Sequence, residues 1–201
     1  MINFKNKYMF EDTQKTFEEI ANTEGIKPFV KEIALLVSED NLTSESINAV
    51  LSQHNIRKIQ NIKIELLDLL IKYANCILED GIISDIEKKN FDFLKLFFRI
   101  KEGDFLKYKP LETQKILEKQ LEKLYADDSI DMQEAEYNVL LQDIFGLSYA
   151  QFDTIKEKFV IQSIEHGADI TNLDTANIKI LKNKKVSDNF FKKVSKYFNK
   201  K

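Results

Sequence analysis

The scarcity of glycine and proline is the feature that most limits how this chain can fold. Its 201 residues contain five glycines and two prolines. A β-sheet protein needs turn residues roughly every 8–12 positions, so this composition favours long helices joined by short connections. Hydrophobic residues make up 43% of the sequence, which is enough for a substantial core. The sequence therefore predicts an all-α fold.

Apolar residues recur at steps of three and four along much of the chain, as they do on one face of a helix. The pattern is strongest from about residue 56 to the turn at Asp80-Gly81, where glycine is suited to end a helix. The other predicted helices cover residues 13–21, 28–37, 43–53, 84–99, a segment ending near 125 after a loop through Gly103 and Pro110, 131–146, 148–166, 171–181 and 187–198. We expect a compact bundle of about nine or ten helices and no strand.

The chain divides into three parts by pattern and charge. Residues 1–55 are predicted to be an N-terminal helical extension, residues 56–170 the helical core, and residues 171–201 a C-terminal basic amphipathic helix. Residues 182–201 hold eight lysines and one acid, a charge of +7, so residues 1–181 carry −10. No apolar run approaches the roughly 18 residues of a membrane span, and the first residues lack the apolar segment of a signal peptide. We expect a cytoplasmic protein.

Two acidic turns, each followed by a helix, repeat at a spacing of 47 residues. Residues 80–87 (DGIISDIE) align with residues 127–134 (DDSIDMQE). The same shift places Leu94 on Leu141, Phe98 on Phe145, Ile100 on Leu147 and Phe105 on Phe152. Each copy carries a capping residue followed three positions later by glutamate, which is the spacing of a capping box at a helix start. The sequence therefore predicts a duplicated helix–acidic turn–helix unit.

Residues 60–166 resemble the tellurite-resistance TerB-like domain family. The segments that carry the resemblance are ILEDGIISDIEKKNFDFLKLFF and LYADDSIDMQEAEYNVLLQDIFGLSYAQF. The first has the acidic-Gly turn of the family motif at Asp80-Gly81, and the second has its Gly-Leu-Ser step at residues 146–148. The resemblance implies an all-helical bundle, an association with stress response, and metal binding through an acidic face.

Carboxylates in the two turns are candidate ligands for a divalent cation. Calcium and magnesium prefer about six or more oxygen ligands, which two facing turns could provide. The candidate ligands are Asp80, Asp85, Glu87, Asp127, Asp128, Asp131 and Glu134. Helix capping is the alternative interpretation, and it accounts for Glu87, Asp131 and Glu134 without any ligand. It does not account for Asp80, Asp127 or Asp128. No other cofactor is indicated.

Catalytic motifs are absent from the sequence. His54 and His166 lie far apart and are interpreted as surface or helix-end residues. There is no Gly-rich phosphate loop, nucleophile elbow or paired-cysteine motif. The single cysteine, Cys76, excludes an internal disulfide, and its place in an apolar pattern predicts a small buried side chain. We therefore expect a protein that is not an enzyme.

The last predicted helix combines an apolar stripe with lysines. A basic amphipathic helix of this kind can pack on its own core, dock in a groove of a partner protein, or lie on an anionic membrane. The charge of −10 on the remaining chain argues against nucleic acid. The residues expected to contact a partner or membrane are Phe190, Phe191, Lys192, Lys193, Lys196 and Tyr197.

These features favour a non-catalytic protein–protein interaction or scaffold module of a bacterial stress-response or defence pathway, with a divalent cation as a candidate modulator. A helical body without a catalytic cluster acts through its surfaces. Two alternatives stay open. One is a divalent-metal-binding or sensing protein that uses the acidic turns, and the other is a peripheral membrane adaptor that uses the C-terminal basic helix.

Overall fold

A computed structural model describes residues 11–173, and these residues form nine α-helices and two short 3-10 helices without a strand. The α-helices are α1 (Glu11–Ala21), α2 (Pro28–Ser38), α3 (Ser44–Gln53), α4 (Lys63–Ile77), α5 (Asp85–Phe97), α6 (Asp104–Tyr108), α7 (Pro110–Leu124), α8 (Met132–Ile144) and α9 (Tyr149–His166). The 3-10 helices are Ile59–Ile62 and Ile170–Asn172. The predicted all-α class is confirmed. Among these residues no helix has the length and apolarity that crossing a membrane requires.

Two segments differ from the sequence prediction. The apolar pattern predicted a helix from about residue 56, but α4 begins at Lys63, after the 3-10 helix. The segment between Gly103 and Pro110 was predicted to be a loop, and it contains α6. This helix has five residues, too few to show a helical period. The predicted helix at 187–198, and most of the one at 171–181, lie outside the described residues.

Buried Asp104 fixes the start of α6. Its Oδ2 accepts a hydrogen bond from the backbone N–H of Lys101 at 2.8 Å and pairs with Lys63 Nζ at 2.6 Å. The residue is 7% exposed. A buried carboxylate is tolerated only when it is paired and hydrogen-bonded, as it is here. The contact joins the start of α6 to the first turn of α4.

Two pairs of helices have matching lengths and a common offset. Helices α4 and α7 each have 15 residues and α5 and α8 each have 13, and in both pairs the bounds differ by 47 positions. The predicted capping boxes are present at the starts of α5 and α8, formed by Ser84 with Glu87 and by Asp131 with Glu134. A third box, formed by Ser148 with Gln151, is present at the start of α9.

The ends of α5 and α8 also match. Arg99 and Gly146 follow these helices in the left-handed region, with φ of 58° and 56°. At each end the next residue donates its N–H to a carbonyl five positions back: Ile100 to Lys95 at 2.8 Å, and Leu147 to Gln142 at 3.0 Å. This is the Schellman arrangement, which uses carbonyls that the helix itself leaves free.

A series of aromatic rings marks the centre of the core. The ring centroids of Tyr73 and Phe91 are 5.7 Å apart, those of Phe91 and Phe105 are 6.3 Å apart, and those of Phe105 and Phe145 are 5.4 Å apart. Phe17 of α1 lies 5.0 Å from Tyr73. Fully burying each such side chain contributes about 1.5–3 kcal/mol. Helix α1, which was predicted to belong to an N-terminal extension, thus contributes to the same core as α4 and α5.

Two buried asparagine side chains, Asn90 and Asn138, differ in their hydrogen bonding. Asn90 donates from Nδ2 to Thr13 Oγ1 at 2.5 Å, and that hydroxyl lies 3.0 Å from the Tyr73 hydroxyl. Asn138 of α8 is 1% exposed, and in the described part of the chain neither Oδ1 nor Nδ2 has a hydrogen-bond partner. A buried polar group without a partner costs about 1–3 kcal/mol.

The prediction that Cys76 is buried is wrong, because its side chain is exposed. Apolar residues occupy most of the circumference of α4, so the pattern alone did not define its outward side. Partial desolvation, together with the negative charges of Glu19 and Glu79, raises the pKa of the thiol. The thiol therefore stays protonated at neutral pH and is a weak nucleophile.

Candidate functional site

The two acidic turns are closed by their own carboxylates. Asp80 Oδ1 accepts a hydrogen bond from the N–H of Ile82 at 2.9 Å, and Asp127 Oδ1 accepts one from the N–H of Ser129 at 3.1 Å. Each is an Asx turn, in which the side chain reproduces the hydrogen bond of a backbone turn. Asp80 and Asp127 therefore have a structural role that the sequence did not reveal.

Asp128 takes the backbone position that glycine has in the other turn. Its φ is 61°, against 79° for Gly81, 47 positions earlier. Aspartate tolerates the left-handed region better than most residues do. Asp128 Oδ1 lies 3.3 Å from Nδ1 of His166, the last residue of α9. The side chain thus ties the second turn to the end of α9.

Both histidines lie at helix ends, as predicted. His166 is the last residue of α9, and His54 follows the last residue of α3 as its C-cap. His54 Nε2 lies 2.9 Å from Glu32 Oε1 on α2, and its ring is 5.8 Å from that of Phe29. These contacts are structural, since each histidine joins its helix to another element.

The seven candidate carboxylates are not gathered into one cluster among the described residues. Glu87 Oε2 accepts from the N–H of Ser84 at 2.8 Å, and Glu134 Oε2 accepts from the N–H of Asp131 at 2.9 Å. Asp85 is the first residue of α5. Between residues 11 and 173 no three Asp, Glu, His or Cys side chains come together in a way that could hold a metal. The acidic residues of the turns fit the capping interpretation.

The first acidic turn lies against the second pair of helices. Lys123 Nζ, near the end of α7, donates to the carbonyl of Glu79 at 3.1 Å. Burial, and the negative charge of Asp80, raise the pKa of Tyr137 on α8. The Tyr137 hydroxyl donates to Gln120 Oε1 at 3.1 Å. The turn therefore joins the two helix pairs.

A basic groove lies beside α3, the first 3-10 helix and the turn after α5. It consists of two adjoining recesses of about 730 and 660 Å³, which share Gln60 and Arg99. Arg57 and Lys58 line the first recess, and Lys101 lines the second. We refer to the surface formed by these five residues as the arginine groove.

The arginine groove is cationic although the body around it is acidic. Residues 11–173 hold 19 Lys and Arg against 31 Asp and Glu, a net charge of −12. Lys63 and Glu65 also line the second recess, but each is paired, Lys63 with Asp104 and Glu65 with Lys27. None of the four remaining cationic side chains of the groove has a carboxylate within 4.0 Å in the part of the chain that the structure describes. Sequence reasoning missed this groove, although the rarity of arginine was a visible signal.

An ion-pair cluster joins α5 to α8. Lys88 Nζ contacts Asp92 of its own helix and lies 2.8 Å from Asp143 Oδ2. Lys95 Nζ lies 3.0 Å from Asp92 Oδ1 and donates to the carbonyl of Asp143 at 2.8 Å. Burial opposes ionisation of the Asp92 carboxyl, but the hydrogen bonds from Lys88 and Lys95 outweigh it and hold its pKa below the usual range.

Large apolar side chains flank this cluster. Leu96 lies one turn after Asp92, and Val139 lies one turn before Asp143, so each shares a helix face with its acid. Met132 shares the face of Val139, two turns earlier. The exposed fractions are 72% for Leu96, 59% for Val139 and 75% for Met132. We refer to Leu96, Met132 and Val139 as the α5–α8 patch.

The residues predicted to form a partner or membrane contact in the tail lie outside the described residues. They are Phe190, Phe191, Lys192, Lys193, Lys196 and Tyr197. Comparisons of the chain with protein-family models, with curated proteins and with solved structures give no match.

Proposed function

We propose that this protein is a non-catalytic protein–protein interaction or scaffold module of a bacterial stress-response or defence pathway. The observation that carries the proposal is the α5–α8 patch, in which three large apolar side chains are exposed on two helices joined by an ion-pair cluster. Apolar side chains grouped at the surface are typical of protein interfaces. An amphipathic helix binds such a surface through its apolar face.

The occupant we propose is an amphipathic helix of a partner protein with basic residues beside its apolar stripe. Charge complementarity supports this choice, because the side chains of Asp92 and Asp143 beside the patch are 43% and 65% exposed. Glu136, between Met132 and Val139 in the sequence, is exposed as well. Lysines or arginines on the partner would meet these acids while its apolar residues cover the patch.

We also propose that α4–α5 and α7–α8 are two copies of a TerB-like unit. The proposal is supported by the common offset of 47 positions, the equal helix lengths and the paired capping boxes. Paired left-handed residues at both turns support it further. The pathway assignment depends on this resemblance, whereas the interaction surface depends only on the exposed side chains.

Site-specific photo-crosslinking in the source cells tests the proposed surface. A photoreactive amino acid at Val139 or at Leu96 should capture the same partner protein, and one at exposed Lys119 of α7 should capture none. The purified partner should then bind the intact chain, and Val139→Asp should weaken binding at least about tenfold. The proposal fails if Lys119 gives the same products. It also fails if the only products join the patch to residues 182–201 or to a second copy of the chain.

A further inference from the structure

We infer that the arginine groove is a binding site for a small molecule that carries at least two phosphate groups. This inference is independent of the proposed protein interface, because it concerns other residues on other elements. It rests on the residue types in the groove, on their lack of ionic partners, and on the backbone conformation of Arg99.

Both arginines of the chain line this one groove. The sequence has 30 Lys and Arg residues, of which only Arg57 and Arg99 are arginine. Everywhere else the chain uses lysine, including in each ion pair of the described residues that involves Lys or Arg. Lysine supplies a point charge, whereas the planar guanidinium donates two parallel hydrogen bonds to a phosphate or carboxylate. The two residues suited to bidentate anion recognition therefore occur together.

The cations of the groove have no ionic partner among the described residues. Neighbouring lysines are neutralised, since Lys63 pairs with Asp104 at 2.6 Å and Lys27 pairs with Glu65 at 2.7 Å. The side chains of Arg57, Lys58, Arg99 and Lys101 are exposed, and within residues 11–173 no carboxylate pairs with them. Mutual repulsion of unpaired cations is unfavourable until an anion neutralises them.

Arg99 occupies a position that disfavours arginine. Four non-glycine residues in the described part of the chain have positive φ. Three of them are Asp40, Asn55 and Asp128, and Asp and Asn tolerate this conformation. Arg99 is the exception, although glycine would end α5 without strain, as Gly146 ends α8. An unfavourable residue at an exposed turn is explained by what its side chain binds.

The arrangement favours a ligand with two phosphate groups over a single carboxylate. Arg99 lies where the recesses meet, with Arg57 and Lys58 on one side and Lys101 on the other. Each recess therefore offers more than one cation, which matches the charge of a phosphate better than that of a carboxylate. Recesses of about 730 and 660 Å³ are in the usual range for small-molecule sites. Gln60, shared by both recesses, is a further donor.

Calorimetric titration of the intact chain with pyrophosphate and with ATP tests this inference. We expect saturable binding at physiological salt, weakened at least tenfold by Arg99→Gly and by Arg57→Gln. Arg99→Lys should weaken binding too, because lysine keeps the charge but cannot donate two parallel hydrogen bonds to a phosphate. Lys119→Gln, which removes one charge elsewhere, should leave it unchanged. Because glycine relieves the backbone strain at this position, Arg99→Gly should unfold at a higher urea concentration than the unsubstituted chain, and that measurement separates loss of binding from a failure to fold.

Several results would overturn the inference. One is the absence of heat at millimolar pyrophosphate and ATP. Another is an equal loss of binding in Lys119→Gln, which would indicate non-specific attraction. A third is tighter binding of an acidic peptide or an oligonucleotide that displaces pyrophosphate, because the groove would then serve a macromolecular partner.

Discussion

Arg99 and Gly146 stand 47 positions apart and end α5 and α8 with the same left-handed backbone, at φ of 58° and 56°. Only one of the two is the residue that this conformation favours. Gly146 is also confined by its neighbours, because a Cβ there would lie 3.3 Å from the Cα of Glu102. The two helix ends thus share a backbone geometry, but a substitution is expected to change the free energy of unfolding differently at each.

Arg99→Gly should stabilise the fold. Glycine removes the left-handed strain, which costs a non-glycine residue about 1 kcal/mol, and the exposed arginine side chain makes no ion pair within residues 11–173. Urea denaturation should show an unfolding free energy higher by up to about 1 kcal/mol. The matched variant Gly146→Ala should lower it by about 1–2 kcal/mol, through strain and the contact with Glu102. A loss of stability in Arg99→Gly would mean that this side chain contributes to folding.

Asn138→Leu should also stabilise the fold. The change removes two buried polar atoms that lack partners in the described chain, and a gain of about 1 kcal/mol is expected. Asn90→Leu is the matched control. It should lower the unfolding free energy, because it breaks the bond to Thr13. Equal losses in both variants would indicate that Asn138 is hydrogen-bonded, for instance by a buried water.

Acid should weaken the ion pairs of Asp92 and Glu65. The pKa values of Asp92 and Glu65 lie below their usual values, because bonds from Lys88 and Lys95, and from Lys27, outweigh the effect of burial. A carboxyl group whose pKa is lowered in the folded state stabilises the fold above its ordinary pKa of about 4. That stabilisation is lost as the pH falls through the pKa of the folded state. Burial alone would lower the pKa of Lys88, but its bonds to Asp143 and Asp92 raise it, so its contribution is lost only at high pH.

Chemical denaturation across the acid range provides the measurement. Stability should fall below about pH 4, and Asp92→Asn should flatten that dependence. The effect of the substitution should be well under about 1 kcal/mol, because the Asp92 side chain is 43% exposed and water screens its ion pairs. If the unfolding free energy of Asp92→Asn falls at low pH as steeply as that of the unsubstituted chain, the ion-pair cluster does not contribute to folding.

Calcium and magnesium should leave the melting temperature unchanged. The carboxylates of Asp80, Asp127, Glu87 and Glu134 already accept backbone hydrogen bonds, and binding to the folded state alone would raise the melting temperature. Thermal denaturation with millimolar calcium or magnesium, against a chelator control, checks this. A rise of more than about 2 °C that Asp127→Asn abolishes would support the prediction of a divalent-cation site.

Local sequence signals predicted the starts of α5 and α8. The pairs Ser84–Glu87 and Asp131–Glu134 form capping boxes as predicted, since a capping box involves only residues three positions apart. Helix α6 was missed because it depends on Lys63, which is 41 positions from Asp104. Cys76 was misplaced because the apolar residues of α4 do not define a single face.

The candidate sites depended on contacts that no local pattern contains. The arginine groove brings Arg57 and Arg99 together from separate elements, and the α5–α8 patch has Leu96 and Val139 on two helices joined by an ion-pair cluster. Sequence reasoning instead selected the acids of the two turns, whose regular spacing reflects capping and Asx turns. Spacing along a chain identifies local hydrogen bonds, but it does not show which distant surfaces meet.

The contact between the connections that follow α5 and α8 has a consequence for related sequences. The N–H of Gly103 donates to the carbonyl of Gly146 at 2.9 Å, and the Cα of Glu102 lies close to Gly146. Neither connection can lengthen by a residue without displacing the other. In homologues, insertions and deletions at residues 100–103 and at residues 146–148 should therefore occur together, and glycine at 146 should be lost only where the first connection has also changed.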